Sequence, residues 1–177
     1  LLHDEGVAAA VAYLNFFAEH PHFEPNLVGD VVALGDKLLE ASGSLEAAGV
    51  ATATAWWESL GFHLTGIFDP ALESLLDGKL LEYARDVACQ GVRSRYKGPC
   101  FRRRALPHPS ARDYVNELMA ALWKDASKAR LLMCTDTHWR MLAHVVRVPM
   151  ARVPKQNPDR TQSDEGRLIW DGTYPNS

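Results

Sequence analysis

The stretch VGDVVALGDKLLEASGSLEAAGVATATAWWESLG, residues 28–61, decides the fold class. A helix opening near Asn26 places Val28, Val31, Val32, Leu34, Leu38 and Leu39 at the three- and four-residue spacing of one helical face, and Gly43 stops it. Ser44 follows at once as an N-cap, with an acid at Glu46 resembling a capping box, and a new helix runs through Trp56-Trp57 to Gly61. A stop signal and a start signal on adjacent residues predict two separate helices. Working outward, Asp4 caps an earlier helix with Val7, Val11, Leu14 and Phe17 on its face, ended by the turn His20-Pro21-His22 and Pro25. On the other side, Asp69-Pro70 reads as an N-cap with proline at the first helical position. That short helix ends near Gly78, and the next carries Leu80, Leu81, Tyr83, Ala84, Val87 and Ala88 as far as Gly91.

After Gly91 the texture changes. Residues 92–109, VRSRYKGPCFRRRALPHP, are rich in arginine and proline and predict an extended basic linker. Ser110, with Asp113 three residues on, caps a long helix whose face is Tyr114, Leu118, Met119, Ala121 and Leu122, with Trp123 on its edge. Three strand-like runs follow: Leu131–Cys134, Val145–Val148 and Arg167–Trp170, the last two separated by a polar loop from Pro154 to Gly166 with Asn157-Pro158-Asp159 as its turn. The expected class is therefore α+β, predominantly α. It comprises an N-terminal helical bundle (1–91), a basic linker (92–109), and a connector helix with a short antiparallel β segment (110–177).

Composition bounds the function. Of 177 residues 47% are hydrophobic, enough for a core, so wholesale disorder is not expected. No window approaches the ~18 consecutive apolar residues of a membrane helix, and the opening Leu1-Leu2-His3 has no secretory pattern. Cys89, Cys100 and Cys134 are odd in number and widely spaced, neither a disulfide framework nor a zinc pair. The expected location is intracellular, cytoplasm or nucleus, with no membrane partner. The formal charge of -3 conceals a split: residues 1–84 hold two basic and thirteen acidic groups, residues 85–177 seventeen basic and nine acidic. An acidic front and a basic back predict a polyanion as partner for the second half. Within it, Arg93, Arg95, Tyr96 and Lys97, then Phe101, Arg102, Arg103 and Arg104, mix phosphate-neutralising cations with aromatics able to stack on unpaired bases. His20-x-His22 lacks a partner cluster and reads as turn residues, and Trp56-Trp57 as packing residues, one inward and one at the rim.

The tail is the most specific part. Val153-Pro154-Lys155, a turn-rich loop with Gly166, then Arg167, Asp171 and Asn176 form a spaced pattern. It resembles the entry to the fingers region of retroelement reverse transcriptases: V-P-K, a variable turn, then R-x-x-x-D-x-x-x-x-N. The loop from Lys155 to Arg167 is longer than is usual there. Gly91-Val92, Arg95–Gly98, Pro107–Ser110 and Leu122–Asp125 are similar to the lead-in of some eukaryotic retrotransposon polymerases, so the resemblance covers roughly residues 75–177. It implies a fragment of an RNA-directed DNA polymerase, with an RNA or DNA template-primer and a deoxynucleotide triphosphate as partners. Lys155 and Arg167 would then contact the nucleotide phosphates, one a mobile point charge and the other a planar fork. Asp171 and Asn176 would be structural motif residues, Asp171 fixing a turn. The two-metal chemistry of that family belongs to later palm aspartates, so Mg2+ is implied for a complete polymerase, no cofactor for this chain, and the isolated chain is expected to be inactive. The alternative is a non-enzymatic helical interaction module with a basic nucleic-acid- or protein-binding tail.

Overall fold

A computed structural model describes residues 2–61, 74–75, 77–90, 106–138 and 149–170, with side chains described for all but the outermost positions of the first and fourth helices and His138. The expected class holds: helices dominate, and a two-stranded antiparallel sheet is confined to the tail. The helices are α1 (Leu2–Glu19), α2 (Val28–Ser42), α3 (Leu45–Ser59), α4 (Gly78–Gln90), α5 (Pro109–Asp113) and α6 (Val115–Ala126). Of the helix expected from Asp69-Pro70, Ser74 and Leu75 are described and helical, while its start and the basic linker up to residue 105 lie outside the described residues.

The punctuation between α2 and α3 acts as its residue types require. Gly43 adopts φ 74°, the left-handed conformation that costs glycine least, and its N–H reaches the Leu39 and Glu40 carbonyls. The Ser44 hydroxyl then accepts from the Ala47 N–H at 3.1 Å, while Glu46 lies in the first turn, where the helix dipole favours an anion. Entry to α2 differs slightly from expectation: Pro25–Leu27 forms one 3-10 turn before the α-helix begins at Val28.

The buried stripe of α1 keeps Phe17 of the expected face, with Val7 and Leu14 at its border, but is rotated away from Val11. Gly6, Ala10, Tyr13 and Phe17 face inward, whereas Val11 is 42% exposed and Val7 and Leu14 are half-buried. The first half of the stripe is small, Gly6 and Ala10, because helices approach closely there. A Cβ on Gly6 would lie 3.0 Å from Ser42 Oγ of α2, and α3 presents Ala48, Ala51 and Ala55 to the same core. Periodicity alone favours the larger side chains; close approach favours the absence of one.

The bundle is completed from the second half of the chain. Trp123 of α6, placed by its sequence at a helix edge, is instead 1% exposed at the centre of an aromatic cluster. Its ring lies 4.9 Å from Phe17 and 5.8 Å from Phe23, and its indole N–H donates to the His20 carbonyl at 2.8 Å. The chain leaving α6 then crosses α1 and α2 as an extended strap, Leu131–Thr135. Leu131–Cys134 reads as a strand by sequence, yet it belongs to no sheet, because side chains replace the ladder. The Tyr13 hydroxyl accepts from the Met133 N–H at 2.9 Å and donates to the Leu131 carbonyl at 3.3 Å. Asp36 accepts from the Thr135 N–H at 2.8 Å. Gly35 admits the strap: a Cβ there would lie 2.9 Å from the Met133 carbonyl carbon. Burial pushes the Tyr13 hydroxyl up to about 12, and burial with the nearby Asp36 charge also raises the half-buried Cys134 thiol.

Candidate functional site

The hairpin is built from strands β1 (Met150–Gln156) and β2 (Gln162–Trp170), longer than the sequence suggested. Of the polar stretch 154–166 only residues 157–161 are a loop. The remainder pairs as strand although its residues do not alternate in polarity, because a two-stranded ribbon exposes much of both faces. Asn157-Pro158-Asp159 does form the turn: the Asn157 N–H reaches the Thr161 carbonyl, and Asp159 accepts from the Thr161 N–H and hydroxyl, which lowers its pKa. Arg160 closes the turn at φ 68°. The run Val145–Val148 lies outside the described residues.

Register decides where the two expected phosphate ligands stand. Val153 pairs with Arg167 and Pro154 with Gly166. Lys155 lies two residues beyond Val153, on the face that carries Arg167, while Leu168 and Trp170 alternate to the other face. Both cations are exposed. Among the described residues Arg167 has no ion-pair partner, whereas the Lys155 ammonium rests on Glu165 at 2.7 Å and lowers that carboxyl's pKa. The pairing shifts register between Pro154 and Gln156, so Lys155 stands opposite a bulge at residues 163–165.

What fixes the bulge is a group of residues the sequence did not single out. Arg152 is 6% exposed, a nearly buried cation on β1. Its Nε donates to Glu117 Oε2 of α6 at 2.8 Å, its Nη2 donates to the Asp164 carbonyl inside the bulge, and its guanidinium lies 3.8 Å over the Tyr114 ring. The other Glu117 oxygen accepts from the Gly166 N–H at 2.8 Å. Two charge-assisted hydrogen bonds therefore converge on one carboxylate, and the Arg152 bond with that of the Gly166 amide holds its pKa below the ordinary range. Gly166 is required for space, since a Cβ would lie 2.6 Å from Arg152 Cγ. The only sequence signal for Arg152 was a lone charge inside the apolar run Met150–Pro154, and Glu117 had none beyond its place next to Leu118.

The other strand edge is tied to the helices as well. The His108 N–H donates to the Met150 carbonyl at 2.9 Å, and Ser110 Oγ accepts from the Arg152 N–H at 3.1 Å. Ser110 is thus a strand anchor. The cap of α5 is His108, whose Nδ1 accepts from the Ser110 N–H ahead of Pro109. The helix predicted from Ser110 breaks at Tyr114, where φ -123° and ψ 38° separate α5 from α6 and turn the ring beneath Arg152.

Arg93, Arg95, Tyr96, Lys97, Phe101, Arg102, Arg103, Arg104, Asp171 and Asn176 lie outside the described residues. The His20 ring lies against Phe16, centroids 4.8 Å apart and tilted by 46°, and its carbonyl accepts from the Trp123 indole N–H. Trp56 and Trp57 are both half-buried, so neither is the fully inward member expected of the pair. No group of three metal-ligating side chains occurs among the described residues, and no helix of theirs is long and apolar enough to cross a membrane. Compared with family models, with curated proteins and with solved structures, the chain matches none of them.

Proposed function

We propose that the chain is a non-enzymatic helical interaction module whose basic tail binds the phosphates of a single-stranded nucleic acid. The observation that carries this reading is the placement of Lys155 and Arg167 on one exposed face of a hairpin that is tied to the helices at Met150, Arg152 and Gly166. Net charge is not the source of affinity at the hairpin, because residues 155–167 hold three basic and three acidic side chains. Placement is. The Lys155–Glu165 pair is exposed at 53% and 75%, and a pair so wet contributes about 0–1 kcal/mol, so a phosphate can replace the carboxylate. The basic stretch 93–104 supplies further cations in the same half of the sequence. Fluorescence anisotropy with a labelled single-stranded oligonucleotide tests the reading. Lys155→Ala with Arg167→Ala is expected to weaken binding, and unchanged affinity in that double variant would overturn it.

A second reading, the fingers segment of a reverse transcriptase, is supported by the same register, which sets the Lys and the Arg on facing strands with their side chains on one face. Under it the hairpin prefers a deoxynucleotide triphosphate to an oligonucleotide, and the reading frame that follows residue 177 encodes a palm with metal-binding aspartates. Competition between the two ligands, and that downstream sequence, separate the readings.

A further inference from the structure

The hairpin's exposed cations stand on a buried pin. Arg152 is the single charged side chain among the buried described residues, and the hydrogen-bond partners of its guanidinium bear on the geometry of β2. Glu117 from α6 accepts both from Arg152 and from the Gly166 N–H, while the second arm of the Arg152 fork takes the Asp164 carbonyl. Those contacts hold the bulge at its middle, residue 164, and just past its end, at residue 166. The bulged residues are the ones opposite Lys155, and Gly166 directly precedes Arg167.

We propose that Arg152 and Glu117 are the positioning pair of the phosphate site: by fixing the bulge they hold Lys155 and Arg167 on one face at a set separation. The proposal rests on the phosphate-binding reading of the hairpin. Its physical basis is that a two-stranded ribbon is marginal by itself, and its register slips unless something specifies it. Here Pro154 offers no N–H to the ladder, and the Gly166 N–H on the facing strand is held by Glu117 as its acceptor. Neither Arg152 nor Glu117 touches the ligand. Both act through the backbone that carries the two residues that do.

The test uses the full chain, a fluorescein-labelled single-stranded oligonucleotide and, separately, inorganic tripolyphosphate as a competitor. Glu117→Gln keeps the shape but loses the charge and one acceptor oxygen. It is expected to expose the Gly166 amide to hydrogen exchange and to weaken oligonucleotide binding by about fivefold, with the helical circular dichroism of the bundle retained. Arg152→Lys keeps the charge but cannot span Glu117 and the Asp164 carbonyl, so it falls between wild type and Arg152→Met. The decisive arm is a double-mutant cycle. Lys155→Ala should cost less affinity in the Glu117→Gln background than in wild type, because a loosened hairpin no longer aims Lys155. Additive losses, or unchanged affinity despite a freely exchanging Gly166 amide, overturn the positioning role. If Lys155→Ala and Arg167→Ala leave wild-type affinity untouched, the phosphate reading itself has failed, and the pair's role with it. Competition by tripolyphosphate shows that phosphate charge alone is recognised, and resistance to it shows that the bases contribute.

Discussion

At the scale of single residues, two glycines and one acid carry the clearest consequences. Gly35 lets the Met133 carbonyl pass over α2, so Gly35→Ala forces the strap away and should lower the unfolding free energy by about 1–3 kcal/mol, the range for overpacking at a close contact. Urea unfolding measures it, and a loss no larger than that of Gly29→Ala, where a Cβ meets only open space, would contradict the assignment. Gly166 plays the corresponding part for Arg152. Glu165 holds Lys155 in the absence of ligand. Replacing it by Gln removes a charge that competes with phosphate and is expected to tighten oligonucleotide binding about two- to fourfold, in keeping with the small free energy of an exposed pair. Anisotropy titration at fixed salt reports it, and weaker binding by Glu165→Gln would show the carboxylate to be a support for the site.

At the scale of elements, α6 does two jobs on two faces. Trp123 fills the bundle core, and Glu117 pins the hairpin. Trp123→Ala should therefore destabilise the fold by about 3–5 kcal/mol, the range for deleting a large buried ring, and leave the His20 carbonyl without its donor. A shift in the urea midpoint with an unchanged slope is the expected signature. The hairpin should respond to acid before the bundle does. Glu117 has a folded-state pKa below its ordinary value, so its contribution is present above about pH 4.3 and is lost as pH falls through the depressed value. Asp159 and Glu165 shift in the same direction, although both are exposed and weigh less. Hydrogen exchange in the acid range should show the Gly166 amide opening while α1–α3 stay protected. Simultaneous opening of hairpin and bundle would argue for a single cooperative unit.

At the scale of the whole molecule, charge is divided along the sequence while the core is shared across it. Trp123 and Ala126 of the basic half lie in one cluster with Ala10, Phe17 and Leu38 of the acidic half, and the strap adds Leu131 to Cys134 at its border. The affinity for single-stranded nucleic acid is expected to fall with rising salt, by about 0.7 log units per log unit of salt for each phosphate neutralised. Removing Lys155 and Arg167 together should flatten that slope by about 1.4, and removing Arg102, Arg103 and Arg104 together by about 2.1. A slope indifferent to both sets would place the basic residues of the second half outside the interface.

Local signals sufficed wherever a residue's own backbone preference was the deciding force. The Gly43-Ser44 boundary, the helix through Leu80 and Val87, and the Asn157-Pro158-Asp159 turn all follow from glycine, hydroxyl and proline chemistry within a few residues. The spacing of Lys155 and Arg167 on two strands was legible for the same reason, since alternation fixes the face once the strands pair. Everything that depended on a distant partner was decided in three dimensions. The buried stripe of α1, the burial of Trp123 and the strap that takes its hydrogen bonds from Tyr13 and Asp36 each answer to a surface more than 80 residues away or on another helix. Arg152 makes the point most sharply. In the sequence it is one arginine among many in a basic half. Only the arrival of Glu117, 35 residues earlier in the chain, and of the Asp164 carbonyl gives its buried charge the partners that low-dielectric surroundings demand.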